Sequence, residues 1–169
     1  IDVQGTLIDD VHKKPIEGAV AFIEALNTQK IPFVVVTNNT KVPSLEFHQF
    51  LCDLGFDIPK SHYLDPFMAL EKVLHVKHIK SFGADEFISV MDKMGYDQNA
   101  TKPEAIVIAS KKDFNSDDYA SMIESILGGA KIVGMHATSI YAKDKRRYPG
   151  VGAILEMLSY ATGADYEVV

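Results

Sequence analysis

Tryptophan is absent and cysteine occurs once, as Cys52, among the 169 residues. A single thiol cannot close an internal disulfide, so a reducing compartment is expected, with the cytoplasm as the default. Positive charge is also in deficit: 17 Lys and Arg stand against 23 Asp and Glu, for a net charge of −6. Binding to a phosphate backbone rests on an excess or a stripe of basic residues, so a nucleic-acid partner is disfavoured. No apolar run approaches the ~20 residues that span a bilayer, and no basic segment followed by a hydrophobic one opens the chain. A membrane protein is therefore not expected. His12, His48, His62, His75 and His78 lack the paired spacing of a zinc site.

What is present is apolar material, 47% of the residues, enough for one core or for one core plus a small inserted domain. Residues 1–3 read as the end of a buried strand that breaks at Gly5. Apolar residues at three- and four-residue steps predict a helix over 15–29, with Pro15 in its first turn. The β-branched run 31–36 predicts a parallel strand covered on both faces. Ser44 is expected to cap a helix closed by Gly55, and Pro66 to open another that runs to about Val76.

From residue 78 the pattern restarts. Strands are expected near 79–82, 105–109 and 131–135, helices at 85–94 and 117–127, and a final helix at 151–162 after Pro149-Gly150. This order predicts an α/β fold with mostly parallel sheets. Residue 1 is Ile rather than Met, and the stretch from Tyr166 to Val169 reads as a strand cut short, so the sequence is taken as a fragment.

In parallel α/β sheets ligands bind beyond the carboxyl ends of the strands, and two polar turns occupy such ends. In Ile1-Asp2-Val3-Gln4-Gly5-Thr6-Leu7, a carboxylate at a strand tip is followed by a turn glycine. A rigidly held carboxylate is what a phosphoryl-accepting nucleophile needs. The turn amides and the Thr6 hydroxyl are expected to reach phosphate oxygens. The plainer reading is a turn cap, since Asp and Gly dominate turns. The second tip, Thr37-Asn38-Asn39, offers a hydroxyl and two amides as neutral donors suited to a phosphate; an Asx-type helix cap is its plainer reading.

Asp2 to Leu7, with Val34-Val35-Val36-Thr37-Asn38-Asn39 about thirty residues on, resembles the first two motifs of the haloacid-dehalogenase superfamily. The stretch 77–148, Pro149-Gly150-Val151-Gly152-Ala153 and the closing Glu167-Val168-Val169 resemble its NagD-like members with a large α/β cap. The resemblance implies a doubly wound parallel-sheet (Rossmannoid) core over 1–76, a cap over 77–148, and a return to the core over 149–169. It also implies a magnesium-dependent phosphatase acting on a small phosphorylated metabolite through an aspartyl-phosphate. Asp2 would be the nucleophile and a magnesium ligand, and Gln4 would give its main-chain carbonyl to the metal. Gly5, Thr6, Thr37 and Asn38 would bind phosphate or substrate, with Asn39 beside the site. The superfamily's Lys and its later acidic pair would lie beyond Val169. A homo-oligomer is left open.

One position departs from that pattern. Most such phosphatases carry a second Asp where Gln4 stands, as the acid that protonates the leaving group. An amide cannot transfer a proton, and the loss costs about 10²–10⁴ in rate. The phospholysine phosphohistidine inorganic pyrophosphate phosphatases, which the chain resembles in this motif and over Tyr141 to Tyr148, also lack the acid and have Ser there. Two alternatives stay open: a hydrolase of pyrophosphate or phosphoramidates, and a catalytically weak or inactive protein that binds phosphate or a partner. His136, in a segment where ordinary members have Asn-Pro-Asp, is either a substrate-selecting group or an ordinary half-buried histidine. The charged run 143–147 is either an anion-steering patch or a solvated loop.

Overall fold

The computed structural model describes residues 1–143 and 146–169. They form two compact units, Ile1–Ala69 and Leu70–Val169. Among the described residues no helix is long and apolar enough to cross a membrane.

In the first unit, residues 1–3 run parallel to β1 (Val35–Val36) through the bridge Asp2↔Val36, and β1 pairs in parallel with β2 (Tyr63–Leu64). Helices α1 (Ala19–Thr28) and α2 (Ser44–Asp53) supply Ile23, Phe47 and Leu51 to a core that also contains Val3, Leu7, Ile8, Val35 and Phe56. The predicted strand 31–36 shrinks to Val35–Val36, the two residues that find partners, Tyr63 and Leu64.

The helix predicted from Pro15 begins later, at Ala19. Its intended first turn belongs to a hairpin, in which Ile8 and Pro15 are bridged antiparallel and the Ile16 amide donates to the Leu7 carbonyl. Asp9 closes that hairpin by accepting the amides of Val11, His12 and Lys14, bonds that hold its carboxyl below the usual carboxylate range. Ser44 is also not a cap. It is the first helical residue of α2, and its hydroxyl donates to Asp65 at 2.8 Å.

Asp65 stands just past β2, only 2% exposed, and accepts further bonds from the Tyr63 hydroxyl at 2.9 Å and the Met68 amide at 3.1 Å. It thereby ties β2 to the first turns of α2 and of α3 (Pro66–Val73). Burial and the neighbouring carboxylate push the Tyr63 phenol well above its ordinary value.

In the second unit, β3 (Ile79–Phe82), β4 (Ala105–Ile108), β5 (Lys131–Gly134) and β8 (Tyr166–Val168) form one parallel sheet in that order. All four β4 residues are buried, as a central parallel strand requires. Helix α4 (Asp85–Lys93) follows β3 and buries Phe87, Val90 and Met91. Helix α5 (Ser116–Leu127) starts on a capping box between Asn115 and Asp118. With α6 (Val151–Thr162) it contributes Met122, Ile126, Leu155 and Leu158 to the second core.

The stretch 149–169, expected to return to the core, has its helix packed in this second cluster and its strand paired with β5. The physical reason is available in its own residues: α6 turns Val151, Ile154, Leu155 and Leu158 inward, while β8 takes the register Ile132↔Tyr166 to Gly134↔Val168. An antiparallel hairpin, β6 (Ile140–Lys143) with β7 (Arg146–Pro149), was not anticipated; Tyr141 and Tyr148 stack across it with ring centroids 5.4 Å apart. Of the charged run 143–147, Asp144 and Lys145 lie outside the described residues.

Helix α6 meets the loop after β5 through two glycines. The Gly150 amide donates to the Ser139 carbonyl and the Gly152 amide to the Thr138 carbonyl. A Cβ on Gly150 would stand 2.0 Å from the Thr138 oxygen, and one on Gly152 would stand 2.5 Å from the Ala137 oxygen.

Two substitutions test these contacts by urea denaturation. Gly152→Ala would gain up to about 1 kcal/mol of helix propensity elsewhere in a helix. Here it should destabilise by about 1–3 kcal/mol, because backbone atoms block the new methyl. Asp65→Ala removes a buried acceptor from three donors and should cost about 3 kcal/mol.

Candidate active site

The site is built in the first unit where the parallel bridge Asp2↔Val36 sets two strand tips side by side, with the Val36 amide donating to the Ile1 carbonyl at 2.8 Å. Asp2 is exposed at the first tip. Its Oδ1 accepts the Val3 amide at 2.8 Å, which fixes the carboxylate plane. Its Oδ2 has no partner among the described residues, so one oxygen stays available for bonding outward.

Beyond Asp2 the chain coils into one tight turn. The amides of Thr6, Leu7 and Ile8 all point at the Val3 carbonyl, at 3.3, 2.9 and 3.1 Å, and the Gly5 amide donates to the Ile8 carbonyl at 2.8 Å. Gly5 sits at φ 75°, a left-handed conformation that favours glycine. These bonds correct one expectation: the Gly5 and Thr6 amides are spent inside the turn rather than free for a phosphate. What remains uncommitted among the described residues is the Gln4 amide and carbonyl, together with the exposed Thr6 hydroxyl.

At the second tip, Thr37 is 1% exposed. Its hydroxyl donates to Gln4 Oε1 at 2.9 Å and accepts the Asn39 amide at 3.1 Å, so both of its roles are filled within the fold. The Thr37 amide donates to the Leu64 carbonyl at 3.2 Å. Asn39 serves the loop, its Oδ1 accepting from the amides of Lys41 and Val42 and its Nδ2 donating to the Val42 carbonyl. Of the three, Asn38 is exposed, and its side chain and amide are both unengaged among the described residues. The two tips therefore bring together Asp2, Gln4 and Thr37. They leave Asn38 as the open amide and give Asn39 a structural role.

Sequence reasoning passed over Asp65, the carboxylate after the next strand, although Asp before Pro at a helix start is a cap signal. It also passed over Asp10, whose Oδ2 lies 3.8 Å from where a Cβ on Gly5 would stand.

The donor set can be weighed for a metal. The Asp2 carboxylate and the Gln4 carbonyl, the latter without a protein partner among the described residues, are hard oxygens of the type that magnesium and calcium take. Magnesium commonly binds through one or two carboxylates while keeping several waters. Among the described residues there is no group of three or more His, Cys, Asp or Glu able to hold a metal by itself.

In the second unit, His136 follows β5 and its Nε2 lies 3.0 Å from the hydroxyl of Ser110, which follows β4. The Thr138 amide donates to His136 Nδ1 at 3.4 Å, so the neutral ring carries its proton on Nε2 and gives it to Ser110. Burial pushes the His136 ring below the ordinary imidazole value. In that tautomer the ring cannot take a proton from Ser110, which removes the pair as a serine nucleophile with its base.

Comparison with known proteins completes the picture. The family model for haloacid dehalogenase-like hydrolases matches residues 1–97. A dihydroxyacetone phosphatase of Corynebacterium glutamicum is 24% identical over 168 residues, covering 97% of this chain and 60% of that protein. A phospholysine phosphohistidine inorganic pyrophosphate phosphatase of Danio rerio is 25% identical, covering 100% of this chain and 64% of its own length. The chain thus spans less than two thirds of these relatives.

Among solved structures, a hypothetical protein of Pyrococcus horikoshii superposes with a TM-score of 0.76 at 23% identity, over 99% of this chain and 69% of that one. A glycerol phosphate phosphatase of Mycobacterium tuberculosis in complex with calcium superposes with a TM-score of 0.68 at 22% identity, over 99% and 51%. These likenesses establish the fold, and with the family match over more than half of its residues the chain belongs to the haloacid dehalogenase-like hydrolases.

Proposed function

We propose that the chain carries the nucleophile-bearing part of a phosphatase site that acts on a small phosphorylated metabolite with a divalent cation, magnesium in the first instance. The observation that carries the reading is the exposed Asp2 carboxylate, held by the Val3 amide with one oxygen unpartnered, at a strand tip beside Thr37 and Asn38. In this family context the first unit is the catalytic core and the second the cap that selects substrate.

In the first step Asp2 Oδ2 bonds to the phosphorus while the bond from phosphorus to the leaving-group oxygen breaks, and its electron pair leaves with that oxygen. Water then bonds to the phosphorus and the bond to Asp2 breaks, releasing inorganic phosphate and restoring the carboxylate. Asp2 and the Gln4 carbonyl would hold the cation, which when bound neutralises phosphoryl charge and orients the group. The Asn38 side chain and amide donate to the phosphoryl oxygens, and Thr6 adds a hydroxyl. Thr37 acts first by fixing Gln4, since its hydroxyl is already engaged.

A second reading, a phosphate-binding protein without turnover, draws on the same bond: the group at position 4 is an amide tied to Thr37 rather than an acid. Phosphate release by the full-length protein separates the two. Turnover of sugar phosphates, glycerol phosphate, p-nitrophenyl phosphate or pyrophosphate is expected with magnesium, at background after chelation and in Asp2→Asn. Background rates on every one of these compounds, for intact and Asp2→Asn proteins alike, decide for the binding protein. Among substitutions at the second tip, Asn38→Ala should lower kcat/KM by about 10²-fold, as removal of a transition-state donor does. Asn39→Ala should act mainly on thermal stability.

A further inference from the structure

The two ends of the bond between Thr37 and Gln4 are held very differently. Thr37 is 1% exposed, its Oγ1 accepts the Asn39 amide at 3.1 Å, and its own amide donates to the Leu64 carbonyl. With those ties in place its hydroxyl proton goes to Gln4 Oε1 at 2.9 Å, across to the residue two beyond Asp2. The Gln4 side chain is long and half-buried, and among the described residues this is the single hydrogen bond it makes. The pairing of the two strand tips does not depend on it, because the bridge Asp2↔Val36 and the Val36 amide on the Ile1 carbonyl already set the register. A bond anchored firmly at one end only, whose opening leaves the backbone in place, is a releasable one.

We propose that the hydrogen bond from Thr37 to Gln4 is an autoinhibitory latch, which keeps the Thr37 hydroxyl from neutral ligands and releases it to an ionised oxyanion, a phosphoryl group or inorganic phosphate. The inference rests on the phosphatase reading given above.

The exchange follows from relative hydrogen-bond strengths. A bond to an ionised acceptor is roughly twice as strong as one between neutral groups, so a phosphate oxygen outcompetes an amide oxygen for the Thr37 proton. Water or a neutral hydroxyl compound gains nothing over the amide. Thr37 need only rotate its hydroxyl, and Oγ1 keeps the Asn39 amide throughout. Gln4, once released, turns its amide to water, so neither partner is left buried and unpaired. No covalent bond changes and no proton is transferred. The latch thus subtracts one neutral hydrogen bond from the affinity of every oxyanion that uses Thr37, the product phosphate included, and its closing favours release of that product.

The test is the affinity of the full-length protein for inorganic phosphate with magnesium, read by calorimetry and as a product-inhibition constant. Gln4→Ala should bind phosphate about 3- to 10-fold more tightly than the intact protein, the worth of one neutral hydrogen bond. Thr37→Val should bind it about 10- to 100-fold more weakly, the worth of a bond to a charged group. In the double variant the gain from Gln4→Ala should vanish, because no hydroxyl is left to release. A bond that merely braces the two tips predicts the opposite sign for Gln4→Ala, a loss of affinity.

A second measurement covers the case in which Gln4→Ala is unstable. In the intact protein, the Gln4 side-chain N–H resonances should move toward those of solvent-exposed glutamine when phosphate is added with magnesium. Unmoved Gln4 resonances at saturating phosphate, weaker or unchanged binding in Gln4→Ala, or the same gain from Gln4→Ala in the Thr37→Val background would each overturn the latch while leaving the phosphatase reading in place. No phosphate binding and no magnesium-dependent turnover in the intact protein would overturn both.

Discussion

The candidate site hangs on one short parallel contact, the bridge between Asp2 and Val36. It carries few hydrogen bonds, yet it decides everything that follows at the tips. With Ile1 accepting the Val36 amide, the residue after Val36 must emerge next to the turn after Val3, so Thr37 meets Gln4 across the two tips. A slip of one residue would turn Val3 and Val35, both fully buried, toward the opposite face. The apolar pattern thus fixes the register, and the register places the polar groups. The next strand repeats the arrangement, for Thr37 donates its amide to Leu64 and Asp65 follows directly, gathering Ser44, Tyr63 and Met68. Three successive tips end in polar residues, but only the first two leave donors and acceptors unspent.

Much of this was legible in the sequence, and the reason is that it is written in apolar spacing. Three of the four strands of the second sheet, β3, β4 and β5, were anticipated, because they are short apolar runs between well-punctuated helices, whereas β8 was assigned to the core. Helix α6 came out at its expected limits, with Gly150 before it and Gly163 in a left-handed conformation after it. What failed was decided by side chains bonding to backbone at a distance that spacing does not report. Pro15 looks like a helix start until Asp9 is seen to close a hairpin around it. Ser44 looks like a cap until Asp65, 21 residues on, takes its hydroxyl. The β6–β7 hairpin is hidden by a charged run that masks the pattern, although Tyr141 and Tyr148 are the kind of cross-strand aromatic pair that stabilises one.

The site shows the same division. That Asp2 and Thr37 would lie at neighbouring strand tips could be argued from the two motifs alone. Which groups stay free could not, because this depends on how the turn spends its own amides. The sequence suggested Gly5 and Thr6 as phosphate donors, but a turn tight enough to hold Asp2 rigid is one in which those amides bond inward. Rigidity of the turn after Asp2 and availability of the turn amides compete for the same hydrogens. Here rigidity wins, and among the described residues the amides left open at the two tips are those of Gln4 and Asn38.

Replacing a carboxylate by an amide at position 4 also changes what the loop must tolerate. A second Asp two residues after Asp2 would add a like charge to a small turn, a repulsion that a bound cation would have to offset. Gln4 adds no charge, and its bond to Thr37 draws the two tips together without help from a metal. The two strand tips described here can therefore be ordered by their own hydrogen bonds. The same neutrality that removes the acid thus lets Thr37 fix one end of the amide.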